Sequence, residues 1–194
     1  MDGFDDFAGI DEAGRGPLAG PVVAAAVILP QDLSELQGLG DSKALSEKKR
    51  AALAPLIYRH ALVGVGIAEP EEIDRLNILH ATMIAMVRAV EHLPRRPVKI
   101  LVDGNRLPPI DIPGEAIVGG DAKIAAIGAA SIIAKTLRDE ILCAAEKRFT
   151  GFGLAKHKGY PAPVHRKILT EQGPTPIHRF SYAPVRHLCE SIRP

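Results

Sequence analysis

Four acidic residues stand where carboxylates could hold metal ions. Asp11 and Glu12 are adjacent, and Asp103 and Asp121 each stand beside a glycine. Hard cations such as Mg²⁺ and Mn²⁺ prefer oxygen ligands, and two such ions can activate water and stabilise the leaving oxygen when a phosphodiester is hydrolysed. Taken singly, Asp103 would equally suit a hairpin turn and Asp121 a helix cap. The four acids therefore predict a metal site only if the fold brings them together.

A glycine-rich turn follows the first two acids. Gly14, Arg15 and Gly16 precede a proline and would end any regular element. Glycine lets main-chain N–H groups come close to a ligand, and a guanidinium suits phosphate. We expect Asp11 to end a strand, and because strand side chains alternate, Asp11 and Glu12 share one site only if the backbone bends there. The alternative for this segment is a salt-bridged hairpin turn.

The elements that must position these residues can be read from the hydropathy pattern. Short apolar runs alternate with amphipathic segments, which indicates an α/β sheet bordered by helices. Strands are expected at 22–29, 61–68, 98–102 and 115–118, and helices at 46–60, 70–76, 78–91 and 121–148. A continuous last helix would separate Asp121 from Asp139 by roughly 27 Å, which excludes Asp139 from the same site.

Composition limits the class of protein. The chain has 194 residues, of which 46% are hydrophobic, enough for one substantial core, and we expect one domain over 1–194. Two cysteines are too few for a disulfide framework. The acidic N-terminus does not look like a signal peptide, and no apolar run reaches the roughly 20 residues that span a bilayer. These features lead us to expect a cytoplasmic protein with no membrane association.

Charge is unevenly distributed. Residues 147–194 carry a formal charge of +7, and the rest of the chain carries −6, although the total is +1. A polyanion-binding tail beside an acidic metal site would have this pattern. A merely solvated basic surface explains it equally well.

The segment from Ala8 to Pro17 resembles the signature of type 2 ribonucleases H, specifically the bacterial ribonuclease HII family. Further segments match that family in order and extend the resemblance from about Gly9 to Val185. They are Asp41-Ser42-Lys43, Leu101 to Asn105, Gly120-Asp121, Ala129 to Lys135 with Arg138-Asp139, His157 to Pro161, and Ser181 to Val185. Three positions, Ala44, Gly128 and Phe180, depart from the residues usual in bacterial members.

The resemblance implies a ribonuclease H-like fold, with a mixed central sheet flanked by helices and a C-terminal helical extension. The core would cover about 1–150, and a basic substrate-binding segment about 151–194. The implied enzyme hydrolyses RNA in RNA/DNA hybrids and cuts 5′ of single ribonucleotides in duplex DNA, leaving 3′-OH and 5′-phosphate ends. Its catalytic and metal-binding residues would be Asp11, Glu12, Asp103 and Asp121, with Mn²⁺ or Mg²⁺ as cofactor.

The resemblance also assigns the substrate contacts. Sensing of the 2′-OH falls to the turn of Gly14, Arg15 and Gly16 and to Tyr160, which could otherwise be a half-buried anchor for its loop. Reasonable phosphate contacts are Lys43, Lys158, Arg179 and Ser181. Four histidines in the tail have no zinc-like spacing.

Several alternatives stay open at this point. Another metal nuclease of the same fold would cut all-DNA substrates, and a hybrid-binding protein would lack catalysis altogether. The related ribonuclease HIII family is less favoured, because no extra domain precedes Asp11. We expect a monomer, and a replication clamp is a conceivable partner for which residues 187–194 offer no supporting motif.

Overall fold

A mixed five-stranded sheet forms the centre of the protein. The structure, a computed structural model, describes residues 3–39 and 45–192, with side chains described up to residue 190. The strands are β1 (Phe7–Ala13), β2 (Val22–Ile28), β3 (Leu62–Ala68), β4 (Lys99–Asp103) and β5 (Gly114–Ile117), in the order β3-β2-β1-β4-β5. Strands β1, β4 and β5 are parallel, whereas β2 is antiparallel to both of its neighbours. The predicted α/β class with a mixed sheet is confirmed.

Helices border the sheet and continue into the C-terminal region. They are α1 (Glu47–His60), α2 (Pro70–Glu91), α3 (Ala125–Arg148), α4 (Leu154–His157), α5 (Pro163–Gln172) and α6 (Ala183–Ile192). Helix α1 begins as predicted, because the Ser46 hydroxyl accepts a hydrogen bond from the Lys49 N–H at 3.3 Å. The predicted break between residues 76 and 78 is also confirmed, since Asn77 has φ 67° and ψ 164° inside α2.

One predicted helix begins later than expected. Residues Gly120–Ala122 form a 3₁₀ turn, and α3 starts only at Ala125, with Ile124 at the N-cap position. Asp121 therefore neither caps the helix nor belongs to it. A Cβ at Gly128 would lie 3.0 Å from the Asp121 carbonyl oxygen, so the turn folds back on the first turns of α3.

Small residues bring α3 close to the sheet near the first acids. A Cβ at Gly9 would lie 2.2 Å from the Ala126 carbonyl carbon, which only a glycine in β1 avoids. One apolar cluster fills the space between the sheet and α2, and another fills the space between the sheet, α1 and α3. The two layers hold the ends of β1 and β4 in fixed positions relative to α3.

A third apolar cluster joins the C-terminal helices to the rest of the protein. Leu18 and Leu142 pack with Phe152, Leu169 and Val185, all of which are buried. The helical C-terminal extension is thereby confirmed. Within the described residues, no helix is both long and apolar enough to cross a membrane.

Candidate active site

Three of the predicted acids meet at the carboxyl ends of two neighbouring parallel strands. Ile10 of β1 pairs with Val102 of β4, so the next residues, Asp11 and Asp103, lie side by side. Glu12 follows on β1, which runs in register with β2 through Ala13. Strand β1 therefore extends two residues beyond the predicted end, and the negative charges of Asp11 and Glu12 interact although strand pairing continues through both residues. Carboxyl ends of parallel strands are a common place for ligand sites.

Asp11 is the most deeply buried of these acids. Only 5% of its surface is exposed, and its carboxylate accepts a hydrogen bond from the Glu12 N–H at 2.7 Å. Burial, together with the negative charges of Glu12 and Asp103, raises the pKa of Asp11 to about 7, although hydrogen bonds from Ser131 and the Glu12 N–H act to lower it. Lys135 in turn donates to the Ser131 hydroxyl at 2.7 Å. The site therefore holds like negative charges close together, which is unfavourable for folding.

Glu12 and Asp103 have different local partners. One Glu12 carboxylate oxygen lies 3.2 Å from the Arg15 guanidinium, and the other, Oε2, is buried and has no hydrogen-bond partner in the part of the chain that the structure describes. Burial raises the pKa of Glu12, Arg15 lowers it and Asp103 raises it. The Asp103 carboxylate accepts a hydrogen bond from the Gly120 N–H at 2.7 Å, which ties β4 to the turn before α3.

Asp121 lies at the rim of this group. It follows Gly120 directly and is exposed. Within the described residues, 3–39 and 45–192, no three His, Cys, Asp or Glu side chains lie close enough to one another to hold one ion in their present conformations. The donor set nevertheless suits a divalent cation, because the second Glu12 oxygen has no hydrogen-bond partner among the described residues and the raised pKa of Asp11 reflects an excess of nearby negative charge.

The turn after the acids is held from inside by Arg179. This side chain is fully buried, and its guanidinium donates to the carbonyl oxygens of Gly14 (2.6 Å), Arg15 (3.0 Å) and Gly20 (2.9 Å). The Tyr182 hydroxyl also donates to the Arg15 carbonyl, at 2.6 Å. The sequence predicts Arg179 as a phosphate contact, but in this structure its guanidinium is buried, donates to backbone carbonyls and the Tyr182 hydroxyl, and shapes the turn.

A second buried arginine, Arg138 of α3, completes this support. Its guanidinium donates to the carbonyl oxygens of Pro21, Ala19 and Lys158, at 3.0 to 3.1 Å. Burial, together with the nearby Arg179 charge, lowers its pKa to about 10. In the sequence Arg138 belongs to one of the segments that match the family, but nothing in its spacing indicates the carbonyl partners.

Tyr160 faces the same turn from the C-terminal region. A Cβ at Gly16 would lie 3.7 Å from the Tyr160 ring, and the ring is 51% exposed. Tyr160 lines a groove together with Glu12 and Gly14, and the cations along it are Arg50, Lys135, Arg138, Lys156 and Lys158. The structure thus brings the predicted sugar-sensing residues together beside an acid.

The remaining predicted phosphate contacts, Lys158, Ser181 and Lys43, differ in where they lie and which groups they contact. Lys158 lines the groove, but its ammonium lies 3.1 Å from the Cys143 sulfur and 3.4 Å from a Glu47 carboxylate oxygen. The Ser181 hydroxyl donates to Asp74 at 2.6 Å, so it connects the tail to α2. Lys43 lies outside the described residues.

Comparison with known proteins agrees with this arrangement. The family model for ribonuclease HII matches residues 8–185. Ribonuclease HII of Maricaulis maris is 64% identical over 186 residues, covering 95% of this chain and 85% of the relative. Ribonuclease HII 2 of Methylibium petroleiphilum is 56% identical over 189 residues, covering 97% and 87%.

Solved structures share the fold. Ribonuclease H2 from Pyrococcus horikoshii superimposes with a TM-score of 0.79 at 29% identity, covering 95% of this chain and 97% of that one. RNase HII from Archaeoglobus fulgidus, solved in complex with PCNA, superimposes with a TM-score of 0.78 at 28% identity, covering 94% of this chain and 96% of that one. Bst-RNase HIII in complex with Mn²⁺ superimposes with a TM-score of 0.75 at 18% identity, covering 95% of this chain and 69% of that one. The chain belongs to the ribonuclease HII family and is a ribonuclease H, an endonuclease acting on RNA/DNA hybrids.

Proposed function

We propose that the protein also cuts 5′ of single ribonucleotides embedded in duplex DNA, leaving 3′-OH and 5′-phosphate ends. The observation that carries this proposal is the position of Tyr160, which faces the Gly16 turn and shares one groove with Glu12. A sugar bound against the turn and the tyrosine would lie beside the acids. One ribose then suffices to place the scissile phosphate.

We propose that Asp11, Glu12, Asp103 and Asp121 hold two divalent cations, Mg²⁺ or Mn²⁺. When bound, such ions supply an activated water and stabilise the leaving oxygen. The protein's own part is to preset the donors: Gly120 fixes Asp103, the Glu12 N–H fixes Asp11, and Arg15 holds one oxygen of Glu12. The Mn²⁺ in the HIII neighbour, which shares the fold, supports this choice of ion.

Discrimination of RNA from DNA must depend on the 2′-OH, which is both a donor and an acceptor. Tyr160 offers an exposed phenol, and the turn of Gly14, Arg15 and Gly16 offers main-chain groups close to it. Because Arg179 and Tyr182 draw the carbonyls of Gly14 and Arg15 inward, the turn has a fixed conformation before substrate binds. Lys158 and the other groove cations would position phosphates without reading bases.

The test is cleavage of a labelled DNA duplex that carries one ribonucleotide, with Mg²⁺, with Mn²⁺ and with chelator, beside an all-DNA duplex. We expect one metal-dependent cut 5′ of the ribonucleotide and none in the all-DNA control. Asp103→Asn should abolish turnover while hybrid binding survives. Cutting of the all-DNA duplex would instead identify a metal nuclease of different substrate class, and wild-type rates in Asp103→Asn would contradict the metal site.

The role of Tyr160 has its own test. Tyr160→Ala should chiefly reduce cleavage at a lone ribonucleotide, and the matched control is Tyr58→Ala, since Tyr58 is 52% exposed on α1, away from the groove. An equal loss on every substrate would argue against sugar sensing.

The clustered acids also speak against the alternative of a catalytically silent hybrid-binding protein, because negative charge facing phosphates weakens binding unless cations neutralise it. We further propose a monomer in the cytoplasm. The Archaeoglobus neighbour was solved with PCNA, but residues 187–194 here carry no motif that supports a clamp contact.

A further inference from the structure

Three histidines of the C-terminal region form a connected chain beneath Tyr160. His157 ends α4, His165 lies on α5, and His178 precedes Arg179. The rings of His157 and His165 stack with centroids 4.2 Å apart, and the Nε2 atoms of His165 and His178 are 3.0 Å apart. His165 and His178 are fully buried.

The backbone partners determine which nitrogen of each ring carries the proton. The Tyr160 carbonyl oxygen, 2.8 Å from His165 Nδ1, can only accept, so this nitrogen is the donor. His165 Nε2 must then accept from His178 Nε2–H when both rings are neutral. His178 Nδ1 is left as an acceptor, and the Thr175 N–H donates to it at 3.0 Å.

The tautomer of His157 can be assigned from its backbone partners in the same way. Its Nε2 lies 2.8 Å from the Phe152 carbonyl oxygen and is therefore a donor. Its Nδ1 accepts from the Gly159 N–H at 3.2 Å. With all three rings neutral, each ring nitrogen has a complementary partner, and two of those partners are the backbone groups at Gly159 and Tyr160.

From this geometry we propose that His157, His165 and His178 are positioning residues that set the protein's preference for a lone ribonucleotide by holding Tyr160 against the Gly14 to Gly16 turn. The proposal rests on the sugar-sensing role of Tyr160 proposed above. None of the three rings needs to touch the substrate. Their effect passes through the Gly159 and Tyr160 backbone.

Electrostatics are consistent with neutral rings at His165 and His178. Burial, together with the charges of the neighbouring histidines, lowers the pKa of His178 to about 4, and burial and the His157 charge lower the pKa of His165. Phe152 and Thr175, which also contact the His178 ring, are uncharged. The flanking guanidinium of Arg179 points to the carbonyls of Gly14, Arg15 and Gly20. A second proton on His157 or His165 would set a donor against a donor.

The activity test measures the ratio of kcat/KM on a single-ribonucleotide duplex to that on a continuous RNA/DNA hybrid. His165→Phe keeps a ring to stack on His157 but loses the hydrogen bonds to the Tyr160 carbonyl and to His178. We expect this ratio to fall by about tenfold, the effect of losing the one hydrogen bond that holds the Tyr160 backbone. His165→Asn can still donate to the Tyr160 carbonyl and should recover most of the ratio. His187→Phe, at an exposed histidine of α6, is the matched control and should leave it unchanged.

A double variant separates this inference from the function on which it rests. If His165 acts through Tyr160, His165→Phe should have no further effect on the ratio in a Tyr160→Ala background. If Tyr160→Ala lowers the ratio and folded His165→Phe does not, the histidine inference is wrong and the sensing role stands. If Tyr160→Ala leaves the ratio unchanged, the sensing role fails and the inference fails with it.

Ring tautomers can be measured without any substrate. Long-range ¹H–¹⁵N NMR of the full chain at pH 7 should show protons on Nε2 of His157, Nδ1 of His165 and Nε2 of His178. A proton on Nε2 of His165, or a charged ring among the three, would overturn the proposed chain even if His165→Phe does not fold.

Discussion

At the scale of single residues, the acidic site lowers the stability of the fold. Burying Asp11 beside Glu12 and Asp103 costs free energy, because an ionised carboxylate loses water and gains two like charges. The fold tolerates this cost through the hydrogen bonds from the Glu12 N–H and Ser131. Such a group is typical of a functional position rather than of a core.

The raised pKa of Asp11 makes stability depend on pH in a defined direction. Between pH 4 and 7 the folded metal-free protein retains a proton that the unfolded chain releases, so its stability falls as pH rises through this window. Asp11→Asn removes the charge, and we expect it to raise the free energy of unfolding at pH 8 by about 2–4 kcal/mol. Below pH 4 the gain should vanish.

Urea unfolding with chelator at pH 4, 6 and 8 measures this effect. Asp11→Asn should also be inactive, so that stability and activity change in opposite directions. Asp121→Asn is the control, because Asp121 is exposed and its replacement should change stability little. A pH-independent gain in Asp11→Asn would show that the Asp11 charge is not the cause.

Residue types could be predicted from the sequence more readily than their burial. The residue types predict the acids and the glycine turn, and the family resemblance adds Tyr160. The buried position of Arg179 could not be predicted, because a cation whose partners are backbone carbonyls 159 to 165 residues away has no sequence signal. A surface phosphate contact and a buried support look identical in a motif.

Arg179→Lys distinguishes these two roles. An ammonium keeps the charge but cannot reach three carbonyls as a planar guanidinium does. We therefore expect a loss of about 2–4 kcal/mol in the free energy of unfolding, since buried acceptors are left unpaired. Arg186→Lys on the exposed face of α6 should be neutral. Unchanged stability together with weaker hybrid binding would return Arg179 to the role of phosphate contact.

At the scale of elements, local signals located most boundaries. The strands and α1 follow their patterns to within two residues, since apolar runs and a serine cap report directly on backbone structure. The start of α3 was misplaced because residues 121–124 have a helix-compatible composition. Tertiary contact decides there, as Gly120 binds Asp103 and the Asp121 carbonyl lies against Gly128.

The break in α2 gives an element-scale prediction. Asn77 has φ 67° and ψ 164°, a region that costs a residue other than glycine about 1–3 kcal/mol, and its side-chain oxygen accepts from the Leu79 and His80 N–H groups. Asn77→Ala should lose the cap, keep the backbone strain and destabilise the protein by about 1 kcal/mol. Asn77→Gly should lose the cap but relieve the strain, so its loss should be smaller. Thermal unfolding of the two variants measures the difference, and equal losses would mean that the backbone angle contributes nothing.

At the scale of the whole molecule, opposite charges are divided between two regions that meet at one groove. The acids lie on the sheet, and the tail contributes Lys156, Lys158 and Tyr160 to the groove that Glu12 also lines. The third apolar cluster fixes the tail in this place. The charge asymmetry along the chain therefore places cations in a groove beside the acids. This arrangement suits a phosphate backbone that must cross a metal site.

Salt dependence of hybrid binding tests whether this path is specific. Binding should weaken linearly in log Kd against log salt, and each phosphate contact contributes about 0.9 to the slope. In the silent Asp103→Asn background, Lys156→Gln should reduce the slope by about one. Lys167→Gln is the matched control, since Lys167 is 74% exposed on α5, outside the groove, and pairs with Glu171. If both lysines changed the slope equally, the tail would act as a diffuse basic surface rather than as one wall of the active-site groove.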